Sequence, residues 1–140
     1  MSYQITPMIG AGPFAFGMSP DQVRLIAGSE FRSFKRTPIS SHACDYFSHL
    51  GIFANYNRDG ELEAIEFASP ARPILDGASL LESKFSSAKE LLAKKDPDLK
   101  IEQDGAISYR LGIALYAPLV KEGGDDCCES LTVFAANYYD

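Results

Sequence analysis

His42-Ala43-Cys44-Asp45, with His49 four positions further on, brings a thiol, two imidazoles and a carboxylate into one short stretch. These are the parts of a nucleophilic site, in which a base within hydrogen-bond reach takes the proton of the thiol and an acid orients the base. Side chains of an extended chain alternate between faces, so His42 and Cys44 share one face while Asp45 and His49 share the other. That split separates the thiol and its nearest base from the orienting acid. The expectation is the start of a strand with a small half-buried cysteine, not a catalytic dyad. Together with Cys127 and Cys128 the same residues are zinc-ligand types, but closely spaced ligand pairs are missing, and adjacent cysteines serve one tetrahedral ion poorly. The acidic stretch Glu122-Gly123-Gly124-Asp125-Asp126 lacks the alternating oxygen donors of a calcium loop. No phosphate loop, dinucleotide fingerprint, Gly-x-Ser-x-Gly elbow or His-Glu-x-x-His helix occurs. Gly10-Ala11-Gly12-Pro13 precedes no adequate helix and reads as a turn. No cofactor, no metal and no enzymatic activity are expected.

Composition narrows the partner. The 140 residues fit a single domain spanning 1–140, and 46% of them are hydrophobic, enough to bury a core. A net charge of −6 argues against nucleic-acid binding, because a phosphate-binding surface needs an excess of Lys and Arg. A basic protein surface is the natural complement. No apolar run reaches the roughly 18 residues of a membrane span, and the N-terminus does not read as a secretion signal. The three cysteines cannot all pair within one molecule, and a reducing cytoplasm suits them.

The elements that must position any site come in two similar sets. Ser19-Pro20-Asp21-Gln22 is a capping box with proline at the first helical position. Met18 and Val23 can close a hydrophobic staple over it, and Gly28 offers the left-handed stop. Val23, Ile26 and Ala27 form the inward face. Ser87-Ala88-Lys89-Glu90 repeats the capping pattern for a second helix, ending near Lys95 before Asp96-Pro97, with Ala88, Leu91 and Leu92 inward. Strands are expected over Phe31 to Lys35, Asp45 to Tyr56 and Glu61 to Ala68, the last two joined at Asn57-Arg58-Asp59-Gly60. Thr37 to Ser41 reads as a loop, Pro70 and Pro73 mark a crossing between the two sets, and Asp76-Gly77 gives a further turn. Further strands are expected over Leu99 to Gln103, Ala106 to Pro118 and Glu129 to Tyr139, with Lys121 to Asp126 as an exposed acidic loop.

Leu50-Gly51-Ile52 is echoed by Leu111-Gly112-Ile113, 61 residues on, and Phe67 by Phe134, 67 residues on. The expected fold is α+β, with two tandem helix-plus-antiparallel-meander units over about 14–69 and 79–138 and the helices on one face of the sheet. Tyr46, Phe47, Phe53, Tyr56, Tyr109, Tyr116, Tyr138 and Tyr139 are many for so small a sheet. Several on an open face would make a recognition surface, although core or edge packing is the stronger expectation for each tyrosine taken singly.

Gly17-Met18-Ser19-Pro20-Asp21-Gln22-Val23, closed by Gly28, resembles the Gly-Met-Ser/Thr-x-x-x-Val motif of two families. These are the BamE-type outer-membrane assembly lipoproteins and the β-lactamase inhibitory proteins, the latter carrying a helix-and-sheet unit in tandem. The lipid-bearing cysteine of the first and the disulfides of the second have no counterpart here. The whole chain also resembles the small acidic immunity proteins encoded beside bacterial toxins, in phrases such as Gly51-Ile52-Phe53-Ala54-Asn55-Tyr56, Glu63 to Phe67 and Ile74-Leu75-Asp76-Gly77. That resemblance implies a cytoplasmic, non-catalytic protein that binds and blocks a toxin, and it carries over no functional residue. The alternative is a small-molecule-binding or enzymatic domain with a pocket between the two units. Charge assigns the partner-binding role to Glu61, Glu63 and Glu66 on one hairpin and to Glu122, Asp125, Asp126 and Glu129 on its counterpart.

Overall fold

The computed structural model describes residues 2–35, 43–119, 126–136 and 138. Strand β1 (Ser2–Thr6) buries Tyr3 and Ile5 and exposes the residues between, the mark of a half-buried strand. It is followed by β2 (Gly10–Ala11) and β3 (Phe14–Ala15), which pair across the turn at Gly12-Pro13. The glycine-rich stretch is thus part of a small hairpin.

Helix α1 (Pro20–Ala27) starts as the sequence dictates. The Gln22 N–H donates to Ser19 Oγ at 3.2 Å, and the Ser19 N–H donates to Gln22 Oε1 at 2.9 Å. Gly28 ends it at φ 108, its N–H donating to the Arg24 carbonyl. The inward face is narrower than expected. Val23 and Ala27 are buried, but Ile26 is 43% exposed, because so short a helix seats only one i, i+4 row on the sheet.

Four strands then pair in sequence order: β4 (Arg32–Phe34), β5 (Cys44–Phe47), β6 (Ile52–Tyr56) and β7 (Leu62–Ala68). The single strand expected over 45–56 is two, folded at Ser48-His49-Leu50-Gly51. Gly51 sits at φ 71, and a Cβ there would lie 2.2 Å from the Ala68 carbonyl oxygen, so glycine makes the reversal possible. The Asn57 side chain closes the next turn by accepting from the N–H groups of Asp59 and Glu61, each at 2.9 Å. Strict alternation fails in β7 because the register shifts there: Asn55 faces Ala64 but Tyr56 faces Leu62. Glu63 is the extra residue of a bulge, and the bulge returns Leu62 to the buried side.

The expected turn at Asp76-Gly77 is present, but the residues around it, expected only to cross between units, form β8 (Arg72–Leu75) and β9 (Ala78–Ser79). Both turn residues have positive φ, 51 and 81, as a tight hairpin turn requires. β8 pairs parallel to β1, giving a five-stranded sheet ordered β3-β2-β1-β8-β9.

Helix α2 (Phe85–Lys95) starts two residues before the expected Ser87 cap, and no side chain caps it. Its N-terminus is held by backbone instead: Lys84 bridges Cys127, and the Phe85 N–H donates to the Asp126 carbonyl at 3.0 Å. Long-range pairing therefore overrides the local capping signal. Phe85, Ala88 and Leu92 are buried. Four more strands follow in sequence order: β10 (Lys100–Glu102), β11 (Gly105–Ser108), β12 (Ile113–Tyr116) and β13 (Ser130–Phe134). The strand expected over 106–118 is again two, folded before Gly112 at φ 68, and the last strand ends at Phe134 rather than Tyr139. The expected loop at 37–41 lies outside the described residues, as does most of the acidic loop at 121–126.

β7 and β13 pair antiparallel and join both sets into one eight-stranded sheet, ordered β10-β11-β12-β13-β7-β6-β5-β4. The protein is thus α+β and sheet-dominated. Two cross-strand rows point into the core: Ala106, Leu115, Leu131, Phe67, Ile52 and Phe47, and beside them Ser108, Ile113, Val133, Ile65, Ala54 and Asp45. Tyr3 of the smaller sheet closes on Phe67 with ring centroids 5.3 Å apart. Phe67 and Phe134 are not equivalent, since Phe134 pairs with Ala64 on the opposite face.

Candidate functional site

Asp45, the would-be orienting acid, is fully buried on the core side and fully engaged. Arg24 of α1 grips it with two bonds, Nε to Oδ2 at 2.8 Å and Nη2 to Oδ1 at 3.0 Å, and Tyr56 donates to Oδ2 at 2.9 Å. Ser33 donates to Oδ1. Burial alone pushes the carboxyl up, but the bonds from Arg24, Ser33 and Tyr56 together hold it below its ordinary value. The same burial, with the bond to Asp45, pushes the Tyr56 phenol far up. This is a clamp fixing α1 to the sheet, with the Arg24 guanidinium also 4.4 Å above the Phe31 ring.

The other reactive residues do not assemble around it. Cys44 is buried on the opposite side of β5, His49 is exposed in the turn at the far end of that strand, and His42 lies outside the described residues. Cys127 is exposed and Cys128 buried, with burial pushing the Cys128 thiol up to about 11. Among the described residues no three His, Cys, Asp or Glu side chains converge on a point that could hold a metal.

The acidic residues are dispersed. Glu61 is exposed in the β6–β7 turn, Glu63 is the half-buried bulge residue, and Glu66 is half-buried in mid-strand. Asp126 and Glu129 are exposed just before β13, while Glu122 and Asp125 lie outside the described residues. Because β13 begins beside the end of β7, Ser130 pairing with Ala68, Glu129 and Glu61 sit at opposite ends of this strand pair. About 20 Å of strand separates them.

What the sheet does assemble is an outward face. A third cross-strand row lies between the two core rows: Lys100, Ile107, Ala114, Thr132, Glu66, Phe53, Tyr46 and Arg32. The six inner members are half-buried and the two cations at its ends are exposed. At strand spacing the row is about 34 Å long. Tyr46 and Phe53 stack at 4.1 Å with planes 13° apart, and Phe34 meets Phe53 edge-on at 6.2 Å. Arg32, Ser33, Phe34 and Tyr46 line a hollow of about 320 Å³ at this edge. At another corner Phe134 is covered by Tyr138 and Tyr109, with centroids 5.7 and 6.4 Å away. Of the aromatic residues singled out from sequence, Phe47 and Tyr56 belong to the core, Tyr46, Phe53, Tyr109 and Tyr116 remain accessible, and Tyr139 lies outside the described residues. Side-chain alternation was the available signal for this face, and the unrecognised reversals at Gly51 and Gly112 obscured it.

No helix of the described residues is long and apolar enough to cross a membrane. Comparison with protein-family models, curated proteins and solved structures returned no match.

Proposed function

We propose that this chain is a non-catalytic, cytoplasmic protein-binding inhibitor, an immunity protein that neutralises a bacterial toxin, and that its outward sheet face is the contact surface. The observation that carries the reading is the half-buried stack of Tyr46 and Phe53, flanked by Phe34, toward one edge of a wide, shallow face. Aromatic side chains left at a surface without a deep cavity are the usual anchors of protein–protein contacts. A face eight strands across has the breadth of one side of a standard interface, about 800 Å².

The proposal extends to two tandem helix-plus-meander units within one domain. Supporting it, each helix precedes four strands paired in order, and both Leu-Gly-Ile turns are fixed alike. The Ala68 N–H donates to the Gly51 carbonyl at 2.9 Å, and the Phe134 N–H to the Gly112 carbonyl at 2.8 Å. These bonds equate Ala68 with Phe134, so the axis relating the units passes between Glu66 and Thr132, which face each other. Both helices bury their apolar residues in one core cluster. Such an axis sends equivalent acidic hairpins to opposite ends, which accounts for the dispersal of Glu61 and Glu129.

Immobilised protein incubated with extract of its source organism should retain a toxin domain, and the purified pair at equimolar ratio should be inactive as a toxin. A retained toxin that keeps full activity at equimolar protein, or retention of nothing but a small-molecule ligand, would overturn the reading.

A further inference from the structure

The eight-stranded sheet ends at β10, and no strand of the described residues pairs with its outer side. The direction of its backbone groups follows from the neighbouring strands. The Ala117 N–H donates to the Asp104 carbonyl at 2.6 Å, and along a central strand the residues bonded to one neighbour alternate with those bonded to the other. Ala106 and Ser108 therefore turn their backbone groups to β12, while Gly105 and Ile107 turn theirs to Glu102 and Lys100 of β10. Ile101, between those two, directs its N–H and carbonyl away from the sheet.

The side chains of this edge are self-complementary. Lys100 and Glu102 share the outward face, with Nζ 3.6 Å from Oε1 and both side chains accessible. Ile101 lies on the core face opposite Ala106. Ala106 is fully buried but Ile101 is 55% exposed, so the core row through Leu131 and Leu115 ends in an uncovered apolar side chain. A second copy laid antiparallel on this edge, Ile101 against Ile101, puts each Lys100 opposite the Glu102 of the other copy. Those are the positions between hydrogen-bonded pairs, where side chains approach most closely and where opposite charges stabilise and like charges destabilise. The two Ile101 residues exchange N–H to carbonyl bonds, and their side chains carry the core row across the axis. The other edges lack this order. β4 and the residue after it present Arg32 and Lys35 and no acid, so two copies of that edge repel, and β3 and β9 are 2 residues long.

We infer that β10 is a self-association edge, pairing antiparallel with β10 of a second copy about Ile101. The two-fold axis then stands perpendicular to the sheet, so both outward faces look the same way and join into one surface. The inference does not depend on that surface being a toxin contact.

Sedimentation across a concentration series should show a monomer–dimer equilibrium at physiological ionic strength, where the repulsion between two copies of charge −6 is screened within about 8 Å. Lys100→Glu sets acid opposite acid and Glu102→Lys sets cation opposite cation, and each alone should weaken self-association about tenfold or more. Mixed in equal amounts, the two variants should form a heterodimer, because every acid then faces a cation. The double variant, carrying both changes, should dimerise like the parent. Hydrogen exchange reads the backbone and needs no variant: the Ile101 amide of the parent should gain protection as concentration rises, while the amides of β4 keep theirs. A parent that stays monomeric to its solubility limit, single variants that dimerise as tightly as the parent, folded single variants that fail to associate when mixed, or a dimer with unchanged Ile101 exchange would overturn the inference. Since no toxin enters this experiment, it can succeed where toxin neutralisation fails, and the reverse.

Discussion

Asp45 shows how one buried charge decides between chemistry and stability. All its strong partners are used in holding α1 and β4 to the sheet, and only Ser33, which is exposed, and part of Arg24, whose side chain is 32% exposed, face solvent. Removing Arg24 leaves a buried carboxylate without its cation, the costly way to break such a pair. Arg24→Met is therefore expected to lose about 3–5 kcal/mol in urea unfolding, and Asp45→Asn, which keeps an acceptor for Tyr56, distinctly less. The pH dependence follows from the direction of the shift. With its folded value held below its unfolded one, Asp45 stabilises the fold fully above the ordinary carboxylate range and loses that stabilisation as pH falls through the folded value. Asp96 acts in the same direction, held down by the bond from Ser108, so acid unfolding of Asp45→Asn should be shallower than that of the parent but not flat. A preserved acid limb in Asp45→Asn would show that the clamp does not titrate. The sequence placed Asp45 and Cys44 correctly on opposite faces, because strand alternation is local. It could not give Arg24 and Tyr56 as partners, because they arrive from 21 and 11 residues away.

At the scale of elements, what was legible was whatever the backbone settles locally. The Ser19 box, its proline and its terminal glycine all act within one helix, and α1 is where they put it. The equivalent letters at Ser87 mislead because α2 is started by a strand bridge to Cys127, a contact made across 43 residues. The two serines should accordingly respond differently to the same change. Ser19→Ala is expected to cost about 1 kcal/mol by thermal or denaturant unfolding, and Ser87→Ala close to nothing, since it caps nothing. An equal loss at both positions would restore the repeat of the capping box. Glycine carries the missing signal: Gly51 and Gly112 interrupt apolar runs that otherwise pass for long strands, and each marks a reversal with positive φ and a carbonyl oxygen where a Cβ would stand. Alanine at either position should destabilise by more than about 1 kcal/mol, because both the dihedral and the contact oppose a Cβ.

For the molecule as a whole, the acidic charge divides into two populations that the sheet keeps apart. Asp126 and Glu129 stand exposed at one end of the β7–β13 pair and Glu61 at the other, whereas the half-buried stack of Tyr46 and Phe53 lies apart from both on the outward face. Exposed charges at a rim act over distance: they steer an approaching basic surface, are screened by salt and contribute little to folding. A half-buried aromatic pair such as Tyr46 and Phe53 acts after docking, by burying its rings against the partner. The two groups should therefore separate kinetically against the partner. Reversing Asp126 and Glu129 to Lys should slow association and flatten its salt dependence while leaving dissociation and thermal stability nearly unchanged. Phe53→Ala should leave association within about a factor of two and speed dissociation about tenfold or more, the range of a lost interface anchor. Stopped-flow association and surface dissociation rates measured across salt concentrations read both effects. If Phe53→Ala left dissociation unchanged, the aromatic stack would lie outside the contact; if the rim reversal changed nothing, the net charge of −6 would serve solubility alone.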